Sequence, residues 1–160
     1  MTSYNTVNLD LFNIPIIGLG EAAMLSACLF GKKFSIISFT NAMSSWYEES
    51  VEILGLQSRY AGFRAIEGVV LAIDQIQSLQ KDALISSAQK AIEVDGGDVI
   101  IFAGAPLSGF KKIVQSEINV PIIDCAEAAV KQAELAIAMN SKVHESKKLP
   151  PKISVGVEKE

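Results

Sequence analysis

The sequence predicts a single three-layer α/β domain on a mostly parallel sheet of four to five strands. Three observations carry that expectation. Apolar runs such as Phe34-Ser35-Ile36-Ile37-Ser38 and Val99-Ile100-Ile101-Phe102-Ala103 lack the in–out alternation of a half-solvated strand, so they read as strands buried on both faces. These runs alternate with stretches of helical periodicity, the pattern of right-handed βαβ crossovers. Finally, 49% of the 160 residues are apolar and the mean hydropathy is +0.31. That supplies a full core, with a surplus that a partner lobe or subunit could cover.

Taken in order, Ile14-Pro15-Ile16-Ile17-Gly18 reads as a strand ending in a turn. Glu21 to Gly31 reads as a helix with Ala22, Leu25, Ala27, Cys28 and Leu29 on its apolar face and Gly31 as its C-terminal cap. Phe34 to Ser38 is the second strand, and Thr40 or Asn41 caps a helix running through Trp46 and Ile53 to Gly55. Arg59 to Ile66 is a weaker strand interrupted by Gly62. Gln75 to Val94 is a long amphipathic helix, followed by the buried strand Asp98 to Ala103. Pro106 opens a helix carrying Leu107, Phe110, Ile113 and Val114, because a first-turn position tolerates the missing N–H. Val120 to Asp124 is the fifth strand and Ala126 to Met139 the closing helix. The domain thus spans residues 14–140. Residues 1–13 form a polar leader, and 141–160 a Lys-, Glu- and Pro-rich tail with the character of a mobile extension. No internal repeat or low-complexity segment stands out.

Composition excludes several classes. The net charge is −4, and the basic residues gather only as pairs, at Lys32-Lys33, Lys111-Lys112 and Lys147-Lys148. That is not the footprint of a nucleic-acid binder. No apolar run reaches a membrane span, and the N-terminus does not read as a secretory signal, so a cytoplasmic location is expected. Cys28 and Cys125 are too few for a disulfide framework, and with the single His144, in the tail, they make no metal site.

In parallel sheets ligands bind at the carboxyl ends of the strands. That rule selects Gly18-Leu19-Gly20-Glu21, Ser38-Phe39-Thr40-Asn41, Ala103-Gly104-Ala105-Pro106 and Asp124-Cys125. The candidate ligand-binding residues are therefore Gly18, Glu21, Ser38, Thr40, Asn41, Gly104, Ala105 and Asp124. Ser38, Thr40 and Asn41 could grip a carboxylate or a ring carbonyl; the alternative is helix capping. Gly18 and Gly20 admit close ligand approach or simple turn geometry. Glu21 either faces the site or favours the positive end of its helix. Asp124 either orders the pocket or caps the closing helix. Cys125 opens a helix whose dipole would favour thiolate, or is a small buried residue. Cys28 reads as core, and Trp46, Tyr47 and Phe63 as core or lobe-interface residues.

Four of these segments in register resemble the Asp/Glu/hydantoin racemase family, nearest to hydantoin and allantoin racemases. Ile14 to Met24 is similar to the segment "PVIGIAEAA", and Phe34 to Ser38 to the strand "FSIVT". Ala91 to Ile101 resembles "A-x-x-E-D-G-A-x-x-I-V", and Val120 to Val130 resembles "VPVID-x-x-x-AAV". The match covers roughly Ile14 to Met139 and corresponds to the second lobe of a two-lobed enzyme. The resemblance implies two facing lobes, each with one cysteine. One thiolate removes the proton at the stereocentre of a hydantoin, allantoin or amino-acid derivative, and the opposite thiol returns one, without metal or organic cofactor. The family's second-lobe cysteine, in "LGCAGM", falls on Gly104. The first-lobe cysteine would fall on Ser3, if Thr2 to Leu9 are what remains of that lobe. Ser3 and Cys125 are thus the catalytic candidates left. The resemblance also implies a small carboxylate or hydantoin-like ligand and a homo-oligomer or partner lobe. Two functions stay open: a racemase-type enzyme, or a ligand-binding or assembly module that kept the fold, with truncation of a longer enzyme as a third account.

Overall fold

The computed structural model describes residues 16–66 and 73–139. The leader with Ser3, the start of the first expected strand, and the tail with His144 lie outside them. The described elements are α1 (Leu19–Ala27), β1 (Phe34–Ser38), α2 (Ser44–Ile53), β2 (Tyr60–Ala65), α3 (Ile76–Leu79), α4 (Lys81–Glu93), β3 (Val99–Ala103), α5 (Lys111–Val114), β4 (Ile122–Asp124) and α6 (Cys125–Met139).

All strand pairs are parallel, in the order β2-β1-β3-β4. β1 and β3 are central and fully buried, which is why their sequences are continuous apolar runs. Period-two alternation splits their side chains between two cores. Phe34, Ile36, Val99, Ile101 and Ala103 meet α1, α2 and α6, while Ile37, Ile100 and Phe102 meet α4 and the α5 region. The result is helix, sheet, helix, as expected.

Four expectations need correction. Ile16, Ile17 and Gly18 join no strand, so the strand expected there is missing from the described sheet, whose four strands lie within the four to five expected. The long helix from Gln75 to Val94 is broken at Gln80, whose φ of −120° and ψ of 18° leave the helical region. The break lets α3 serve a second anchor: the Gln77 amide donates to the carbonyls of Pro106 and Ser108, both at 2.9 Å. The helix expected at Pro106 is a single 3-10 turn, Ala105–Leu107, followed by the short α5. Gly31 does not end α1, which stops at Ala27; it is required because a Cβ there would run into the Asp98 carboxylate and come within 2.5 Å of Val99 Cγ2.

That close approach belongs to a clamp at the foot of the sheet. Arg59 Nε donates to Lys32 O at 2.7 Å, and its Nη2 donates to Cys28 O and Gly31 O at 3.0 and 2.5 Å. The Asp98 carboxylate accepts the Lys32 and Lys33 N–H groups at 2.9 and 2.8 Å. Desolvation alone would raise the Asp98 pKa; those N–H groups, its own, and the Lys32 charge outweigh it and hold the carboxyl below its usual value. One guanidinium thus caps the carbonyls that follow α1. Replacing Arg59 by alanine is expected to lower stability by about 2–3 kcal/mol. Arg59→Lys should recover less than half, since a point charge cannot span three carbonyls. Urea unfolding midpoints check both; a lysine variant as stable as wild type would show that charge alone suffices.

Candidate active site

The carboxyl ends of β1, β3 and β4 lie side by side, because Ser38 pairs with Ala103 and Phe102 with Asp124. Ser38 ends β1 on the same face as Phe34 and Ile36 and is 1% exposed. Its hydroxyl has no hydrogen-bond partner among the described residues. A buried hydroxyl left in that state costs roughly 1–3 kcal/mol, which a ligand oxygen or nitrogen could offset. The Thr40 hydroxyl accepts the Ala42 N–H at 3.3 Å and so caps the 3-10 turn Asn41–Met43; Asn41 and Ala105 are exposed.

Gly104 follows β3 with φ +112° and ψ 139°, a conformation L side chains avoid. A Cβ there would lie 2.8 Å from Phe39 Cε1. The space that a side chain at position 104 would need is therefore filled by the Phe39 ring. Phe39 stood in a selected loop yet was not singled out; an aromatic between a strand-ending serine and a capping threonine was the available signal.

Asp124 resolves toward capping. Its Oδ1 accepts the Ala126 and Glu127 N–H groups at 2.9 and 3.0 Å, and its Oδ2 accepts the Gly109 N–H at 2.5 Å. Its described partners are all backbone, and the carboxylate joins the start of α6 to the loop after β3. Cys125 is buried, and its thiol donates to Phe102 O at 3.4 Å. Burial pushes the thiol up to about 12, and the neighbouring Asp124 charge adds to it; the Gly104 and Cys125 N–H groups oppose this without reversing it. Desolvation therefore wins over the helix terminus, and of the two readings the structure shows the small buried residue. Cys125 should resist iodoacetamide in the native protein at pH 8 and react on unfolding, read by mass spectrometry. Rapid native labelling would show an accessible thiolate instead.

The remaining selected loop is the one that opens α1. Gly18 precedes α1 with φ −73° and ψ 133°, which any residue adopts, and its carbonyl accepts the Ala22 N–H at 2.9 Å. Gly20 is buried beneath Trp46, whose Cη2 would sit 3.4 Å from an added Cβ. Glu21 is half-buried in the first turn of α1, where the helix dipole favours it. Cys28 is half-buried and its thiol donates to Met24 O at 3.3 Å; Tyr47 is core, with Trp46 and Phe63 packed beside it. Among the described residues no three His, Cys, Asp or Glu side chains gather as a metal site, and no helix is long and apolar enough to cross a membrane.

A parallel sheet covered on both faces, with small and hydroxyl-bearing residues at its strand ends, defines an α/β lobe of the kind whose sites lie in its strand-end loops. The chain belongs to the Asp/Glu/Hydantoin racemase family, whose profile matches residues 10–133. It is 28% identical over 130 residues to a hydantoin racemase of Paenarthrobacter aurescens, covering 81% of this chain and 55% of that one. It is 26% identical over 133 residues to a hydantoin racemase of a Pseudomonas strain, covering 83% and 53%. The allantoin racemase of Pseudomonas fluorescens superposes with a TM-score of 0.76 at 26% identity, covering 81% of this chain and 55% of its own length. The chain thus spans about half the length of the relatives it matches.

Proposed function

We propose that this chain is one half of a cofactor-independent racemase or epimerase acting on a hydantoin, an allantoin or an amino-acid derivative in the cytoplasm. The observation that carries the reading is the unpartnered, buried Ser38 hydroxyl at the shared end of β1 and β3, in a family whose named relatives are racemases. In the reaction a base removes the proton from the stereocentre and the bonding pair passes to the adjacent carbonyl oxygen. An acid then delivers a proton to carbon from the opposite face, and the carbonyl is restored. Ser38 would hold a carbonyl or carboxylate oxygen, with the Thr40 and Gly104–Ala105 loops as walls. Neither Gly104 nor the neutral Cys125 thiol is placed to transfer the proton, so those groups would come from a facing half, in a partner lobe or another subunit.

A specific observation favours a second reading. Phe39 closes the space beside Gly104, as expected of a module that binds a ligand and turns nothing over. Deuterium exchange separates the two. A single enantiomer of a 5-substituted hydantoin in heavy water should exchange its ring C–H and lose optical rotation when the assembled protein is added. Saturable binding of carboxylates and hydantoins with no exchange, over a broad substrate panel, would leave the binding module in place of the enzyme.

A further inference from the structure

β2 is an outer strand of the described sheet, and its one charged residue is Arg64. Asp95, just beyond α4, accepts from the Arg64 Nε and Nη2 groups at 2.6 and 2.8 Å. This fork holds the guanidinium in one plane and leaves its Nη1 donors unused. An arginine fixed in this way loses little further freedom when it meets an anion.

α4 turns a polar stripe toward it. Ala83, Ser86, Ser87 and Lys90 follow at the three- and four-residue spacing of one helix face, while Leu84, Ala88 and Ala91 are buried in the core. Between this stripe and the segment from Phe63 to Ile66 lies a cleft of about 430 Å³. Phe63 and Ile66 give it an apolar wall, and Arg64, Ser86, Ser87 and Lys90 give it donors. No described carboxylate lines it, although the chain carries a net charge of −4. Lys90 forms an ion pair with no described residue. Lys111 and Lys131, in the cleft between α1 and α6, are each paired with a glutamate.

We propose that the cleft between β2 and α4 binds a small phosphate monoester. The phosphate would sit between the Arg64 guanidinium, the Ser86 and Ser87 hydroxyls and the Lys90 ammonium, with the organic part against Phe63 and Ile66. A planar carboxylate is satisfied by the guanidinium alone. Donors converging from a strand on one side and a helix on the other suit the several oxygens of a tetrahedral dianion. The cleft is also larger than a bare ion fills, and of the size of small-molecule sites. It lies on the α4 side of the sheet. Ser38 shares the opposite side with Phe34 and Ile36, so the proposal stands or falls separately from the racemase reading.

The test titrates the full chain with glycerol 3-phosphate at fixed ionic strength, followed by calorimetry and by amide and arginine Nε resonances. Saturable binding at one site is expected, with shifts at Arg64, Ser86, Ser87 and Lys90. Lys90→Gln and Ser87→Ala should each weaken it by about fivefold to tenfold. Both positions lie outside the core, so the melting temperature should not change. Arg64→Lys keeps the charge but loses the fork, and should weaken binding more than Lys90→Gln does. Binding that fails to saturate, acetate bound as tightly as the ester, or affinity untouched by Lys90→Gln and Arg64→Lys would overturn the proposal. Shifts confined to the pairs Lys32-Lys33 and Lys111-Lys112 would overturn it as well.

Discussion

Gly104→Cys is expected to destabilise the chain by about 2–6 kcal/mol and not to create a usable thiol. Two effects contribute. A non-glycine residue held at positive φ costs of order 1–3 kcal/mol, and the φ here is +112°. The new Cβ also meets the Phe39 ring at 2.8 Å. Phe39 is half-buried and packed against the core around Ile37 and Phe102, so its displacement carries an overpacking penalty of roughly 1–3 kcal/mol. Phe39→Ala should relieve the second effect and leave the first. A double-mutant cycle of urea unfolding is expected to show coupling of about 1 kcal/mol or more in the compensating direction. Equal losses in both backgrounds would show that Phe39 is not the obstacle. Placing a thiol at this position therefore takes a changed loop as well as a changed side chain.

The parts of this fold legible in the sequence were those decided by burial on both sides. β1 and β3 announced themselves because each of their residues is buried. The same reasoning failed at Ile16 to Gly18. Its prolyl-isoleucyl-isoleucine is repeated at Pro121 to Ile123, yet only the later copy pairs in this sheet. Hydropathy reports that a segment wants burial between neighbours; it does not say which sheet supplies them. The break at Gln80 was equally hidden, since both flanking segments keep an apolar face and the cause is a tertiary tether from Gln77 to the loop after β3. Two of the loops that the rule of strand ends selected lie together, because Ser38 pairs with Ala103, the residue before Gly104. The roles within them depended on distances across the chain. Gly31 looked like a cap because glycine often is one, and the need for it comes from Asp98 and Val99 far along the sequence. At Cys125 the helix terminus argued for thiolate and the residue type for burial, and the burial that decides between them comes from the sheet beside it.

Asp124→Ala is expected to cost about 3 kcal/mol. Its carboxylate satisfies two of the free N–H groups at the start of α6, a cap worth about 0.5–2 kcal/mol. It also holds the Gly109 N–H, through a hydrogen bond to a charged acceptor worth roughly 1.5–3 kcal/mol. Gly109 turns the chain at φ +83° between the 3-10 turn after Gly104 and α5. The same side chain therefore sets the entry angle of α6 and the position of the loop that walls the site. Asparagine divides these duties. Its amide oxygen can keep the α6 cap, while its NH2 group confronts the Gly109 N–H, donor against donor. Asp124→Asn should thus lose about half as much stability as the alanine variant. Amide exchange should stay slow at Ala126 and Glu127 and accelerate at Gly109 in the asparagine variant, and accelerate at all three in the alanine variant. Any ligand gripped at Ser38 should then bind more weakly to both variants, because its wall is the loop that Gly109 ends. An asparagine variant that protects Gly109 as well as wild type would mean that the loop is held by its own turns, leaving Asp124 as a helix cap alone.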